Sequence, residues 1–244
     1  MEAIILAAGY ATRLYPLTKD TPKPLLKVAN VPIIAHILAK IRKINDIKKI
    51  YIVTNSKFHA HFSKWLGDFI FDRPIEIIDD GTTSNDNRLG AMGDINFVLK
   101  QKKFDDDLLV VAGDNLFDFE LDEVESFFRK KESSVIVAYD VKNPELAKQY
   151  GIIEQSNCMI SNFVEKPAEP KSTLASTGIY LFTRKNVELI EEYISQGNNP
   201  DKTGSFIEWL YKREKVLAFV TEKTWYDIGT KEQLAEADKK YRAK

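Results

Sequence analysis

The chain has 244 residues, 44% hydrophobic and 29% charged, a balance that supports a full α/β core and excludes a disordered or fibrous polypeptide. Its formal net charge of -1 excludes the broad basic field that draws proteins to nucleic acid or anionic membranes, so charged ligands must be met locally. The single Cys158 excludes an intramolecular disulfide framework. No run reaches the roughly 18 apolar residues of a membrane helix, and no targeting segment opens the chain, which predicts a cytoplasmic protein.

The first expected element is a strand. Ile4, Ile5, Leu6, Ala7 and Ala8 form a continuous apolar run, the pattern of a parallel strand covered on both faces. Gly9 ends it, leaving the turn free to adopt positive φ and the backbone open to a ligand. The loop beyond carries Arg13, Lys19 and Lys23. Arg13 offers a planar fork of donors suited to phosphate oxygens, and Lys23 stands between Pro22 and Pro24, whose rings restrict where its ammonium points. Two placed cations behind a strand imply a polyphosphate. The Gly-x-Gly-x-x-Gly of dinucleotide folds is broken after Gly9, and no P-loop pattern occurs, so hydride transfer and P-loop chemistry lose their main support.

Pro32 then opens a helix with the apolar stripe Ile33, Ile34, Ile37, Leu38, Ile41 and Ile44. Strands are predicted at Ile50–Val53, Ile75–Ile78, Leu108–Ala112 and Val135–Ala138. Between them lie helical stripes at Phe58, Phe62, Trp65 and Leu66, at Ile95, Val98 and Leu99, and at Val124, Phe127 and Phe128. From Tyr150 the segments shorten, with strands at Ile152–Glu154, Met159–Val164, Leu174–Phe182 and Val216–Val220, the extended segment Trp225–Gly229, and helices around Val187, Phe206 and Leu234. This order predicts an α/β protein of three layers, a mixed, mostly parallel sheet with helices on both faces. One domain is expected over 1–244, with a nucleotide-binding half over about 1–115 and a substrate-binding half over about 116–244 that share the sheet.

Asp114 follows Leu108–Ala112 within Gly113-Asp114-Asn115, so it stands at the carboxyl end of a strand, the edge where open α/β sheets bind ligands. It is the best metal candidate. Magnesium takes one or two protein carboxylates and fills its shell with phosphate oxygens and water. Asp227 ends another extended segment, where a second acidic ligand fits, and Thr230 is placed to cap the last helix. Glu165 and Lys166 pair an anion suited to hydroxyls with a cation suited to phosphate. Asp105, Asp106 and Asp107 mimic an Asp-x-Asp metal motif, but they precede their strand and read as a solvated turn. His59 and His61, two apart on a helix, point in different directions.

Taken together, LAAGYATRLYPLT followed by PKPLL resembles the L-A-A-G-x-G-T-R-L-x-P-L-T and P-K-P-L-L signature of sugar-1-phosphate nucleotidyltransferases, with Ala11 in place of the second glycine. Gly113-Asp114-Asn115, Trp225-Tyr226-Asp227-Ile228-Gly229-Thr230, YGIIE at 150–154, VEKPAEPKS at 164–172 and STGIY at 176–180 continue that resemblance in order. They bring it closest to short glucose-1-phosphate thymidylyltransferases. It implies a Rossmann-like, GT-A-like fold and a reaction joining a nucleoside triphosphate to a sugar 1-phosphate with release of pyrophosphate. It further implies catalytic Arg13, Lys23 and Asp114, and magnesium held by Asp114 and Asp227. Nucleotide binding falls to Leu6, Ala7, Ala8, Gly9, Asp80, Asn87 and Gly90; substrate binding falls to Tyr150, Gly151, Glu165, Lys166, Thr177 and Gly178.

Two segments depart from that family. DDGTTSNDNRLGAMGDI, 79–95, replaces its Q-P-x-x-x-G-L-A-x-A, and leaves the base open: Asp80 can accept from the amino group of cytosine or guanine, and Asn87 can pair with any base. TGSFIEWL, 203–210, replaces its E-L-E-I-T-D, and leaves the sugar open. The sequence ends after the final helix without the left-handed β-helix of bifunctional relatives, so acyl transfer is not expected. Three other readings remain at this point: cytidylyl transfer to a non-sugar phosphorylated alcohol or phosphonate, a GT-A-like glycosyltransferase, and a nucleotide-sugar-binding module without turnover. A homo-oligomer also stays open.

Overall fold

A computed structural model describes residues 1–243. Strands β1 (Glu2–Leu6), β4 (Ile50–Thr54), β5 (Ile75–Asp79) and β6 (Leu108–Ala112) run parallel, and β8 (Ser134–Asp140), β9 (Gly151–Ser156), β10 (Met159–Glu165), β11 (Leu174–Phe182) and β12 (Val216–Thr221) extend them into one sheet. The order is β5-β4-β1-β6-β11-β8-β12-β10-β9. β11 joins the halves by pairing antiparallel with both β6 and β8, while β12 returns parallel to β8. The sheet is thus parallel through the first half and mixed beyond it.

Alternation along the strands divides the core in two. On β1, Ala3 and Ile5 face one cluster and Ile4 faces the other; on β6, Leu109 and Val111 oppose Leu108 and Val110. The first cluster is covered by α1 (Ile33–Ile41), α2 (His59–Gly67), α4 (Leu121–Lys131) and α8 (Lys231–Arg242), and α5 (Pro144–Ala147) adds Ala147 to it. The second is covered by α3 (Ala91–Lys102), α6 (Arg184–Ser195) and α7 (Thr203–Leu210). Helices on both faces make the three expected layers. In α1, Ile33, Ile34, Ile37, Leu38 and Ile41 are fully buried, each stabilising the fold by about 2 kcal/mol relative to exposure. The helix stops at Ile41, so Ile44 joins the core from the following turn.

Short elements were not foreseen. β2 (Lys27–Val28) and β3 (Val31–Pro32) form a hairpin, and β7 (Asn115–Phe117) pairs antiparallel with β13 (Trp225–Asp227), which is only part of the expected 225–229 segment. Strands of two or three residues are too short for a period to show in the sequence. The Asp105–Asp107 turn is tied down by ions at the opposite end of β6: Asp105 binds Arg184, and Asp106 binds Lys48 at 2.6 Å and the Met1 amino group at 3.2 Å. Among the described residues, no helix is long and apolar enough to cross a membrane.

Candidate active site

Two carboxylates that are 113 positions apart in sequence meet because β7 and β13 pair, which sets Asp227 opposite Asn115, the residue after Asp114. The Ile228 N–H also donates to the Asp114 carbonyl at 3.4 Å. Asn115 locks this arrangement, since its side-chain amide donates to the Thr177 carbonyl while its oxygen accepts from the Trp225 indole at 3.2 Å. Gly113 precedes Asp114 because nothing larger fits: a Cβ there would lie 2.6 Å from the Leu6 carbonyl oxygen. The tie between β6 and β1 runs through that same oxygen, which accepts from Gly113 N–H at 2.8 Å.

Cations surround the pair. Lys23, buried in a short 3-10 turn, holds the Asp114 carboxylate at 2.7 Å. Arg13 reaches the same place from the first loop; its guanidinium nitrogens lie 3.8 and 3.9 Å from where a Cβ of Gly229 would sit. Burial pushes the Asp227 carboxyl up to about 6, the negative charge of Asp114 adds to this, and Lys23, Arg13 and Lys166 oppose it. The segment after Asp227 is held by the cap of α8, in which Thr230 Oγ1 accepts from Gln233 N–H at 3.2 Å and Gln233 Oε1 accepts from Gly229 N–H at 2.8 Å. Ala11 stands at φ 46°, ψ 43°, in the left-handed region where glycine is favoured, at a cost of about 1–2 kcal/mol. The loop keeps the left-handed conformation without the glycine.

Asp114 and Asp227 open into a cleft of about 310 Å³ whose far side is built by β9, β10, β11 and α7. Tyr150, Gly151, Glu165, Lys166, Thr177 and Gly178 all line it. Glu165 is accommodated by missing side chains: Cβ atoms on Gly151 and Gly204 would lie 2.9 and 2.2 Å from its Oε2. Its other oxygen is 3.5 Å from Lys202 Nζ. Tyr150 packs edge-on against Trp225, and burial, with the charge of Asp227, pushes its phenol up to about 12. The Thr177 hydroxyl donates to the Val137 carbonyl at 2.9 Å, so it serves β8 rather than the cleft.

A second cavity, about 220 Å³, lies beside the first and shares Ala91 and Asp201 with it. Leu6, Ala8, Gly9 and Gly90 line it. Ala7 does not, because its side chain packs in the core and its N–H donates to Val53. Asn87 lines neither cavity. Its carboxamide turns back into its own loop, where Oδ1 accepts from Thr83 and Ser84 N–H and Nδ2 donates to Thr83, leaving little for a base. Asp80 is buried behind the cavity wall rather than within it.

The sequence matches the nucleotidyl transferase family over residues 2–244. The chain belongs to that family. It is 34% identical over 98% of its length to the bifunctional protein GlmU of Methanocaldococcus jannaschii, covering 54% of that protein. Against the glucose-1-phosphate thymidylyltransferase of Neisseria meningitidis the identity is 30% over 97% of the chain, covering 81% of the relative. A solved UDP-glucose pyrophosphorylase, complexed with UDP-glucose, superposes over 99% of the chain and 98% of its own length with a TM-score of 0.83 at 22% identity, which shows a shared fold. The chain spans about half the length of the GlmU relatives that it matches.

Further residues shape the two clefts. Lys202, Thr203 and Gly204 line the larger one, so the TGSFIEWL segment does face the ligand side despite its departure from the family motif. Asp201 pairs with Arg88 at 2.9 Å at the junction of the cavities. Asp94, in the first turn of α3, is a buried acid that also lines the smaller cavity.

Proposed function

We propose that this nucleotidyltransferase joins a nucleoside triphosphate to a sugar 1-phosphate, or to a closely similar phosphorylated alcohol, giving a nucleoside diphosphate sugar and pyrophosphate. The observation that carries the reading is that Lys23, Arg13 and Lys166 bear on the Asp114 and Asp227 pair at the edge of the larger cavity, which also holds Glu165 and Gly178 and adjoins a smaller one lined by Leu6, Ala8 and Gly9. A triphosphate laid along the first loop would carry its nucleoside into the smaller cavity, and the sugar would occupy the larger. On this reading residues of about 1–115 serve the nucleotide and those of about 116–244 the sugar phosphate, with Asp201 crossing between them.

The nucleophile is a phosphate oxygen, already ionised at neutral pH, so no general base is needed. It attacks the α-phosphorus, the bond between the α- and β-phosphates breaks, and pyrophosphate leaves with the electron pair. Two polyanions must be brought into line, and the charge that builds on the leaving group must be neutralised. Arg13 holds the departing pyrophosphate, Lys23 lies between the α-phosphate and the incoming phosphate, and Lys166 anchors the nucleophile. Asp114 and Asp227 fit magnesium, since two neighbouring carboxylates that repel one another are what this ion takes from a protein beside phosphate oxygens. When bound, it supplies neutralisation of phosphate charge. Such chemistry draws on the cytoplasmic pool of nucleoside triphosphates.

A panel of nucleoside triphosphates against sugar 1-phosphates and small phosphorylated alcohols, with pyrophosphate measured with and without Mg²⁺, tests the reading. It predicts magnesium-dependent pyrophosphate release for at least one pair, in step with nucleotide-sugar formation. Absence of product in every combination would refute it, and breakdown of an added nucleotide sugar with transfer of its sugar would favour a glycosyltransferase.

A further inference from the structure

The wall of the smaller cavity contains a group that the transfer chemistry does not use. Asp94 is 6% exposed and lines that cavity. Asp80, also 6% exposed, lies behind it within hydrogen-bonding reach. Asp80 Oδ1 accepts from Thr82 N–H at 2.7 Å, whereas Asp80 Oδ2 and Asp94 Oδ1 are buried with no further partner among the described residues. Asp79 and Tyr10 are the other titratable neighbours; Asp79 accepts from Ser56 at 2.8 Å, and the Tyr10 hydroxyl is 3.2 Å from Thr82 Oγ1. The cation on the cavity rim, Arg88, is bound to Asp201.

Burial, and then the charge of the Asp80 carboxylate in contact with it, push Asp94 up to about 8, so that at neutral pH Asp94 keeps a proton that the contact with Asp80 holds. With that proton held between them, the oxygen left for the cavity only accepts. An exocyclic amino group at a ligand edge satisfies it, whereas a ring N–H set between two carbonyls brings their oxygens against it. A carbonyl oxygen is repelled and leaves a buried acceptor unpaired, which is costly. The other charged side chains of the wall, Arg88 and Asp201, are bound to one another, and Leu6, Ala8, Gly9 and Gly90 add apolar surface and backbone. Gly90, at φ 81°, is packed so closely that a Cβ would lie 2.4 Å from Asp201 Cα.

We infer that Asp94, backed by Asp80, selects nucleoside triphosphates whose base carries an exocyclic amino group and disfavours uracil and thymine. Guanine, cytosine and adenine each present such a donor, whereas uracil and thymine set a single ring N–H between two carbonyls. This rests on the reading of the clefts as a nucleotidyl-transfer site, and it goes beyond that reading by assigning the base class to named side chains.

Calorimetric titration of the whole chain with the magnesium complexes of GTP, CTP, ATP, UTP and dTTP, and with inorganic tripolyphosphate, tests it. At least one amino-bearing triphosphate is expected to bind about tenfold or more tightly than UTP and dTTP. Asp94→Asn, which places a donor beside the acceptor, is expected to shrink that ratio to about threefold or less and to leave tripolyphosphate affinity unchanged. A wild-type preference for UTP or dTTP, equal binding of all five, or an unaltered ratio in a folded Asp94→Asn protein would overturn the inference and leave the transfer reading standing. No binding by any triphosphate would defeat both. The wild-type ratio alone is decisive, whether or not the variant folds.

Discussion

Replacing Asp227 by Asn should stabilise the metal-free protein while removing its activity. In the folded chain, burial and Asp114 raise this carboxyl from 3.8 to about 6. Below pH 4 it is protonated folded and unfolded, and costs nothing. Between pH 4 and 6 the unfolded chain releases the proton that the folded chain keeps, so stability falls as pH rises; above 6 both forms are ionised and the loss is complete. At about 1.4 kcal/mol per pH unit the full displacement is worth roughly 3 kcal/mol, and Lys23 and Arg13, which already oppose it, are included in that figure. Asn keeps the shape without the charge. Urea unfolding in EDTA at half-unit steps from pH 4 to 8 is expected to show Asp227→Asn gaining on wild type through pH 4–6 and holding a margin of about 1–3 kcal/mol above it. A margin that is zero or negative at pH 7.5, with no pH-dependent divergence, would refute the electrostatic argument.

Three further outcomes follow from the packing and charge. Gly113→Ala forces a Cβ against the Leu6 carbonyl, so it should cost about 1–3 kcal/mol in urea unfolding and lower kcat by displacing Asp114. Lys166→Met should raise KM for the sugar 1-phosphate about tenfold to a hundredfold while changing that for the triphosphate much less, as steady-state kinetics with each substrate varied would show. Phe206→Ala removes a fully buried ring that packs with Phe182, Tyr193 and Trp209, and should cost about 3–5 kcal/mol without altering the affinity for nucleotide in the protein that remains folded.

Long, periodic signals carried into the structure with little loss. The Ile4–Ala8 run supplied the end of a parallel strand, Glu2–Leu6, with Ala7 and Ala8 beyond it, the Ile33–Ile41 stripe became a helix on one face, and Leu174–Phe182 appeared with its expected bounds. What the sequence hid was tertiary. The meeting of Asp114 with Asp227 depends on two three-residue strands that are too short to show a period. Asn87 looked free to read a base, but a carboxamide surrounded by Thr83 and Ser84 finds backbone partners closer than any ligand. Asp94 escaped notice for a similar reason: an acid in a helix's first turn reads as a partner for the helix dipole, and only the fold sets it against Asp80. Ala11 shows the reverse, since the departure from glycine was visible but its tolerance at φ 46° was not.

If Asp114 and Asp227 act as one site for a metal–triphosphate, Mn²⁺ binding followed by electron paramagnetic resonance with a non-hydrolysable nucleoside triphosphate will depend on both. A nucleotide-dependent bound ion is expected in wild type and is expected to be lost in both Asp114→Asn and Asp227→Asn. Undiminished binding in either folded variant would contradict the single site.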